Sequence, residues 1–188
     1  MRGGSLHNTE DFERWYKLGL KQEAYFVEHI APLIPIEADI NPAKETDVTA
    51  PDLMIAGEVA ELKNQQTPFF TVRRKFGLDP QFTITFNRGD YRSYKAKYPK
   101  MDIYFVVDWR LLSYDDHGTK IVVVPMKAIY KVNFSLLSRK IEAGEVRLHE
   151  YGRRKGDPHN ETHGYVFSLH DFELLKDFTD RADLVMPM

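Results

Sequence analysis

The chain contains no cysteine. That excludes a disulfide framework, a thiolate metal site and a thiol nucleophile. No apolar run reaches the length of a membrane span, and Met1 to Asn8 are polar and Gly-containing, with no hydrophobic leader. A cytoplasmic, non-membrane protein is expected. There is no internal repeat, no low-complexity tract and no glycine-rich loop of the kind that cradles phosphate, so solenoids and P-loop nucleotide enzymes are excluded.

A strong net charge is missing too: 26 Lys+Arg face 28 Asp+Glu, for a total of −2. The balance hides a division along the chain. Residues 1–62 hold 5 Lys+Arg against 12 Asp+Glu, residues 63–100 hold 9 against 2, and residues 101–188 hold 12 against 14. An acidic stretch followed by a basic one suits phosphodiester chemistry, with carboxylates for a metal and cations for phosphate. The plainer alternative is a solvated basic face. At 188 residues, 43% hydrophobic and 29% charged, the chain reads as one globular domain over 1–188.

Hydrophobic spacing supplies the elements. Thr9 is a plausible cap, with Glu10, Asp11 and Glu13 in the first turn. Phe12, Trp15, Tyr16, Leu20, Ala24, Val27, Ile30 and Ala31 follow helical spacing as far as Pro32 and Pro35. Glu23 sits close to that apolar stripe. Residues 36–50 read as a connection, in which Glu45 and Asp47 are expected to be solvated. Gln81–Asn87 alternates as a strand. Asp90, in the tripeptide Arg88-Gly89-Asp90, is expected to cap a helix running to Tyr98. Asp102–Trp109 reads as a strand buried on both faces, and 120–125 as another. Residues 126–141 have helical spacing, and 146–151 and 165–169 are candidate strands. His159, Asn160, Glu161 and His163 fall in a polar loop where histidines are usually solvated.

Residues 51–63 carry the densest chemistry. Leu53-Met54-Ile55 reads as a strand, Ala56-Gly57 as a turn and Glu58–Asn64 as the returning strand. Alternation puts Glu61 and Lys63 side by side, and the hairpin returns Asp52 towards them. Two carboxylates and an ammonium on one patch suit a hard divalent cation with a positive group beside it. Glu-x-Lys on a strand is, taken alone, most often a solvated ion pair.

The sequence Pro51-Asp52, then Glu61-Leu62-Lys63 after a short hairpin, resembles the PD-(D/E)XK phosphodiesterase superfamily. The order helix, strand, strand, strand, helix, strand over 9–109 carries the same resemblance. It implies an α/β fold with a restriction-endonuclease-like core and a central mixed sheet flanked by helices; residues 110–188 would elaborate the sheet. A Gln-x-x-x-Tyr helix motif, found in RecB-like branches, is not visible, which leaves resolvase-like and restriction-like branches.

The resemblance further implies a Mg²⁺- or Mn²⁺-dependent DNA endonuclease. Asp52, Glu61 and the Leu62 carbonyl would hold the metal, with Glu23 binding directly or through water. Lys63 would position water and stabilise charge, since adjacent carboxylates oppose the lowered pKa a base needs. Arg73, Arg74, Lys75, Arg88, Arg92 and Lys95 would contact phosphates. A homodimer is implied by analogy, because two sites cut two strands. The alternatives are a catalytically inactive nucleic-acid-binding module on the same fold, and an unrelated α/β protein with an ordinary surface hairpin.

Overall fold

Ile103-Tyr-Phe-Val-Val107 offers no charged or amide side chain in five residues, and the fold buries all of them from both sides. The computed structural model describes residues 12–151 and 162–187; the expected cap at Thr9 and the loop residues His159, Asn160 and Glu161 lie outside them. Along the chain run α1 (Phe12–Tyr25), β1 (Ala38–Ile40), β2 (Leu53–Ile55), β3 (Glu58–Gln65), α2 (Val72–Phe76), β4 (Thr83–Asn87), α3 (Arg88–Lys97) and β5 (Asp102–Asp108). The remainder is β6 (Ser113–Asp116), β7 (Thr119–Val122), β8 (Lys127–Asn133), α4 (Phe134–Glu142), β9 (Arg147–Glu150), β10 (His163–Ser168) and β11 (Glu173–Asp177). No described helix is long and apolar enough to cross a membrane.

Six strands make a mixed sheet in the order β1-β2-β3-β5-β8-β11, parallel only between β3 and β5. A parallel pair needs a crossover, and residues 66–101 supply it with α2, β4 and α3. One face is covered by α3, α4 and a second sheet, β4-β10-β9, through Phe86, Tyr94, Phe134 and Phe167 against Ile103, Phe105 and Val107. The other face is covered by the continuation of α1. Phe26 and Ile30 there meet Leu53, Ala60, Leu62, Tyr104 and Val106, joined by Leu184 and Met186 near the C-terminus. Each fully buried large side chain contributes about 1.5–3 kcal/mol.

Several expectations are corrected. Residues 36–50 are not a plain connection: they hold β1 and a 3-10 turn at Pro42–Glu45. β4 is not in the main sheet but in the second one, so the three strands before α3 in the main sheet are β1, β2 and β3. Residues 126–141 split into β8 and then α4. Ala128, Ile129, Tyr130 and Val132 are all buried in a central strand, where two-faced burial overrides helical spacing. Asn133 caps α4 by accepting from Ser135 N. The 120–125 run is no buried strand: β7 pairs only with β6, and Val122 and Val124 are exposed. α1 passes into a π turn at Phe26–Ile30 and a 3-10 turn at Ala31–Leu33, which Pro32 joins at its start, where proline costs no hydrogen bond.

The β2–β3 hairpin matches its expected form. Its two-residue loop has φ of +50° at Ala56 and +82° at Gly57, the pattern of a type I′ turn, whose twist suits flanking strands. Glycine adopts that region freely and alanine does not. Ala56→Asn therefore stabilises the protein by about 1 kcal/mol, read as a higher urea midpoint at unchanged m-value. A lower midpoint contradicts the turn geometry.

Candidate functional site

Strand lengths open the site. β2 pairs only with Glu58–Ala60, while β3 runs on to Gln65 and pairs with β5 on its other side. Beyond Ala60 the β2-facing edge of β3 has no strand neighbour. Leu62 N–H, which would have joined that ladder, donates instead to Asp52 Oδ2 at 3.2 Å. A strand residue sends its N–H and C=O to the same edge, so the Leu62 carbonyl also faces the gap. α1 lies along it, enclosing a hollow of about 430 Å³ lined by Gly19, Gln22, Glu23, Asp52, Glu61 and Lys63 among others. Near the C-terminus, the Pro187 carbonyl accepts from Gln22 Nε2 at 2.9 Å, and Gln22 Oε1 accepts from Asn64 Nδ2 at 3.0 Å.

Three carboxylates reach this hollow from different layers. Extending the hairpin register by one residue sets Asp52 opposite Glu61. Glu23, only 6% exposed, comes from α1 on the other side of the sheet. Lys44, 9% exposed on the 3-10 turn, joins two of them: its Nζ donates to Glu23 Oε1 and to Asp52 Oδ1, each at 2.5 Å. Glu23 Oε2 is buried without a hydrogen-bond partner. Glu61, also 6% exposed, accepts from Tyr94 O–H at 2.6 Å and pairs with Lys63 Nζ at 2.8 Å. Lys63 also pairs with Asp90 at 2.8 Å and donates to Tyr94 Oη at 3.3 Å.

Burial raises the pKa of Asp52, and repulsion from Glu23 adds to it, against the pull of Lys44. Glu61 is raised as well, by burial first and by Asp52, against Lys63. For the amines burial pulls the other way and loses. Lys44 is raised because Asp52 and Glu23 outweigh its desolvation, and Lys63 is raised well above the ordinary lysine value because Glu61, Tyr94 and Asp90 outweigh its own. Tyr94 is also raised, chiefly by burial, so its hydroxyl remains a donor. At neutral pH both ammonium groups are charged, and they face Asp52 and Glu61, which resist ionisation.

Asp52, Glu61 and Lys63, which strand alternation and the hairpin bring together, thus line one space with Leu62 and Glu23. No three His, Asp or Glu side chains among the described residues are arranged to hold a metal ion as they stand. The donor set nonetheless fits a hard cation: carboxylate oxygens, a carbonyl turned to the same edge, and an unpartnered buried oxygen on Glu23. Glu45 and Asp47 stay outside. Both are exposed, and Asp47 accepts from Thr49 N and Oγ1.

The basic residues divide. Arg74 pairs with buried Asp116 at 2.9 Å, Lys75 lies 3.5 Å from His149, and Phe70 stacks on Tyr114, so α2 is pinned to the body. Lys95 pairs with Glu142 of α4 at 2.6 Å. Arg92 is exposed, two residues from Tyr94 and so about 200° around α3 from the residue that meets Glu61. Arg92 and Lys95 do not face the hollow. Arg73 is exposed and Arg88 half-buried. Asp90 is not the cap of α3: Asn87, three residues earlier, holds that position, and Asp90 is turned to Lys63.

Sequence reading misses Lys44, Asp90, Tyr94 and Gln22. The signal for Asp90 and Tyr94 is their i, i+4 spacing, which puts both on one face of α3. Lys44 carries no such signal, because only the turn at Pro42–Glu45 aims it.

The raised pKa of Asp52 has a definite sign. The folded state binds its proton more tightly than the unfolded chain, so its contribution to stability falls as pH rises from the ordinary carboxylate range through the raised value. As pH rises above about 4, the ordinary carboxylate value, the melting temperature of Asp52→Asn should gain on that of the parent. An aspartate serving only as a salt-bridge partner gives the opposite slope.

Compared with family models, with curated proteins and with solved structures, the chain matches none of them.

Proposed function

We propose that the hollow beside β3 is the active site of a metal-dependent nuclease that hydrolyses phosphodiester bonds of DNA as an endonuclease. The observation that carries this reading is the meeting of Glu23, Asp52, Glu61 and Lys63 around one hollow at an open strand edge, with a buried Glu23 oxygen left unpartnered. The main-sheet elements α1, β1, β2, β3, α3 and β5 support it by their likeness to the helix, three strands, helix and strand expected of a PD-(D/E)XK core, with α2 and β4 inserted before α3 and β1, not β4, as the third strand of the main sheet.

Asp52, Glu61, Glu23 and the Leu62 carbonyl would hold Mg²⁺ or Mn²⁺. Such an ion, when bound, neutralises phosphate charge and makes its coordinated water a better nucleophile. Lys63 remains an ammonium, held by Glu61 and Asp90, and so acts by stabilising the negative charge that grows on the phosphorus oxygens. Tyr94 and Asp90 are positioning residues, Tyr94 fixing Glu61 and Asp90 fixing Lys63. Arg73, exposed on α2, is the candidate for phosphate contact. A homodimer, with one hollow for each strand of a duplex, is the assembly that the likeness suggests.

One observation favours a second reading, a nucleic-acid-binding module without turnover: the carboxylates are already matched by the ammonium groups of Lys44 and Lys63. Incubation with supercoiled plasmid and branched DNA separates the two. The nuclease reading predicts nicking in Mg²⁺ or Mn²⁺ that EDTA abolishes. Lys63→Ala should slow it by about 10²–10³, and Asp52→Asn by more than the roughly 10- to 100-fold that outer partners of a metal site cost. DNA retained on the protein without cleavage in either metal supports the module.

A further inference from the structure

Lys44 is built into the hollow. The 3-10 turn that carries it is fastened at its head by Asn41, itself buried. The Asn41 side chain accepts from Ala43 N at 3.1 Å and donates to the Pro51 carbonyl at 2.8 Å, while its backbone N–H donates to the Asp52 carbonyl at 3.0 Å. The turn is therefore tied to the residues just before β2, and its register fixes where the Lys44 ammonium falls: between Glu23 and Asp52. Pro42, Ala43, Glu45 and Thr46 around it are exposed, so the side chain has solvent beside it to turn into. The ammonium holds Glu23 Oε1 and Asp52 Oδ1, so a divalent cation drawn to the same two carboxylates would stand against its positive charge.

Resting on the reading of the hollow as a divalent-cation site, we infer that Lys44 is a built-in occupant which a metal ion must displace, so that loading exchanges an ammonium for a divalent ion. In the unloaded protein Lys44 holds Glu23 and Asp52 together against their mutual repulsion. It keeps the carboxylates apart from the arrangement a metal requires, and it weakens metal affinity by the free energy of its own charge-assisted bonds. Lys63 differs in having a second partner outside the proposed ligand set, Asp90, which keeps it in place whether or not Glu61 holds an ion.

Two measurements on the full chain test this. In calorimetric titration with Mn²⁺, Lys44→Met should bind about tenfold tighter than the parent or better, the value of removing at least one charge-assisted hydrogen bond from the competitor. It should also melt lower without metal and recover on adding Mn²⁺. In the parent itself, which does not depend on a variant folding, reductive methylation followed by mass spectrometry should find Lys44 protected without metal and labelled faster in saturating Mn²⁺. Equal or weaker binding by Lys44→Met, or labelling of Lys44 unchanged by metal that does bind, overturns the exchange and leaves the metal site standing. Absence of Mn²⁺ binding in parent and variant alike overturns both.

Discussion

A difference in length between two paired strands governs the hollow. β2 covers three residues of β3 and stops, and α1 instead of another strand lies along what remains. Backbone groups at a buried edge must find partners. Here the Leu62 N–H takes the Asp52 carboxylate, which draws a charged group into the protein and fixes its direction. With Asp52 committed, Glu61 stands opposite it by register, and Glu23 reaches the same place from the helix. A longer β2 would close the edge and remove the reason for Asp52 to turn inward.

Charges in that position are costly, and the structure distributes them in a way a purely structural design would not need. Apolar replacements for buried ion pairs are often neutral or stabilising, yet the hollow keeps three carboxylates against two ammonium groups, with one carboxylate oxygen unmatched. Asp52 and Glu61 resist ionisation because of burial, while Lys44 and Lys63 are held firmly charged. Such a site gives up stability that well-packed apolar side chains would supply. Stability given up at a cluster of ionisable groups is the usual mark of a functional position.

How much of this was legible in the sequence varies by element. The β2–β3 hairpin was readable to within a residue, because its turn residues and alternation are local signals. β5 was readable because its apolar run is too continuous for anything but a central strand. β8 was not: its spacing also fits a helix, and burial on both faces, which only tertiary packing creates, decided for strand. β1, three residues long and mostly exposed, carries almost no pattern. At the site, residues paired through the hairpin could be read from alternation. Lys44 and the Asp90–Tyr94 pair depend on contacts across 8 to 33 residues of sequence separation, and no local rule reports them. Among the basic residues composition misled, since Arg74 and Lys95 are taken up by Asp116 and Glu142.

The central claim is that the hollow takes a divalent ion. Crystals grown with Mn²⁺ and measured near the manganese absorption edge test it most directly. The account predicts one anomalous peak among the oxygens of Glu23, Asp52 and Glu61, at metal–oxygen distances of about 2.0–2.2 Å, with the Lys44 ammonium moved off Asp52. A peak elsewhere, or none while Lys44 still bridges Glu23 and Asp52, contradicts it.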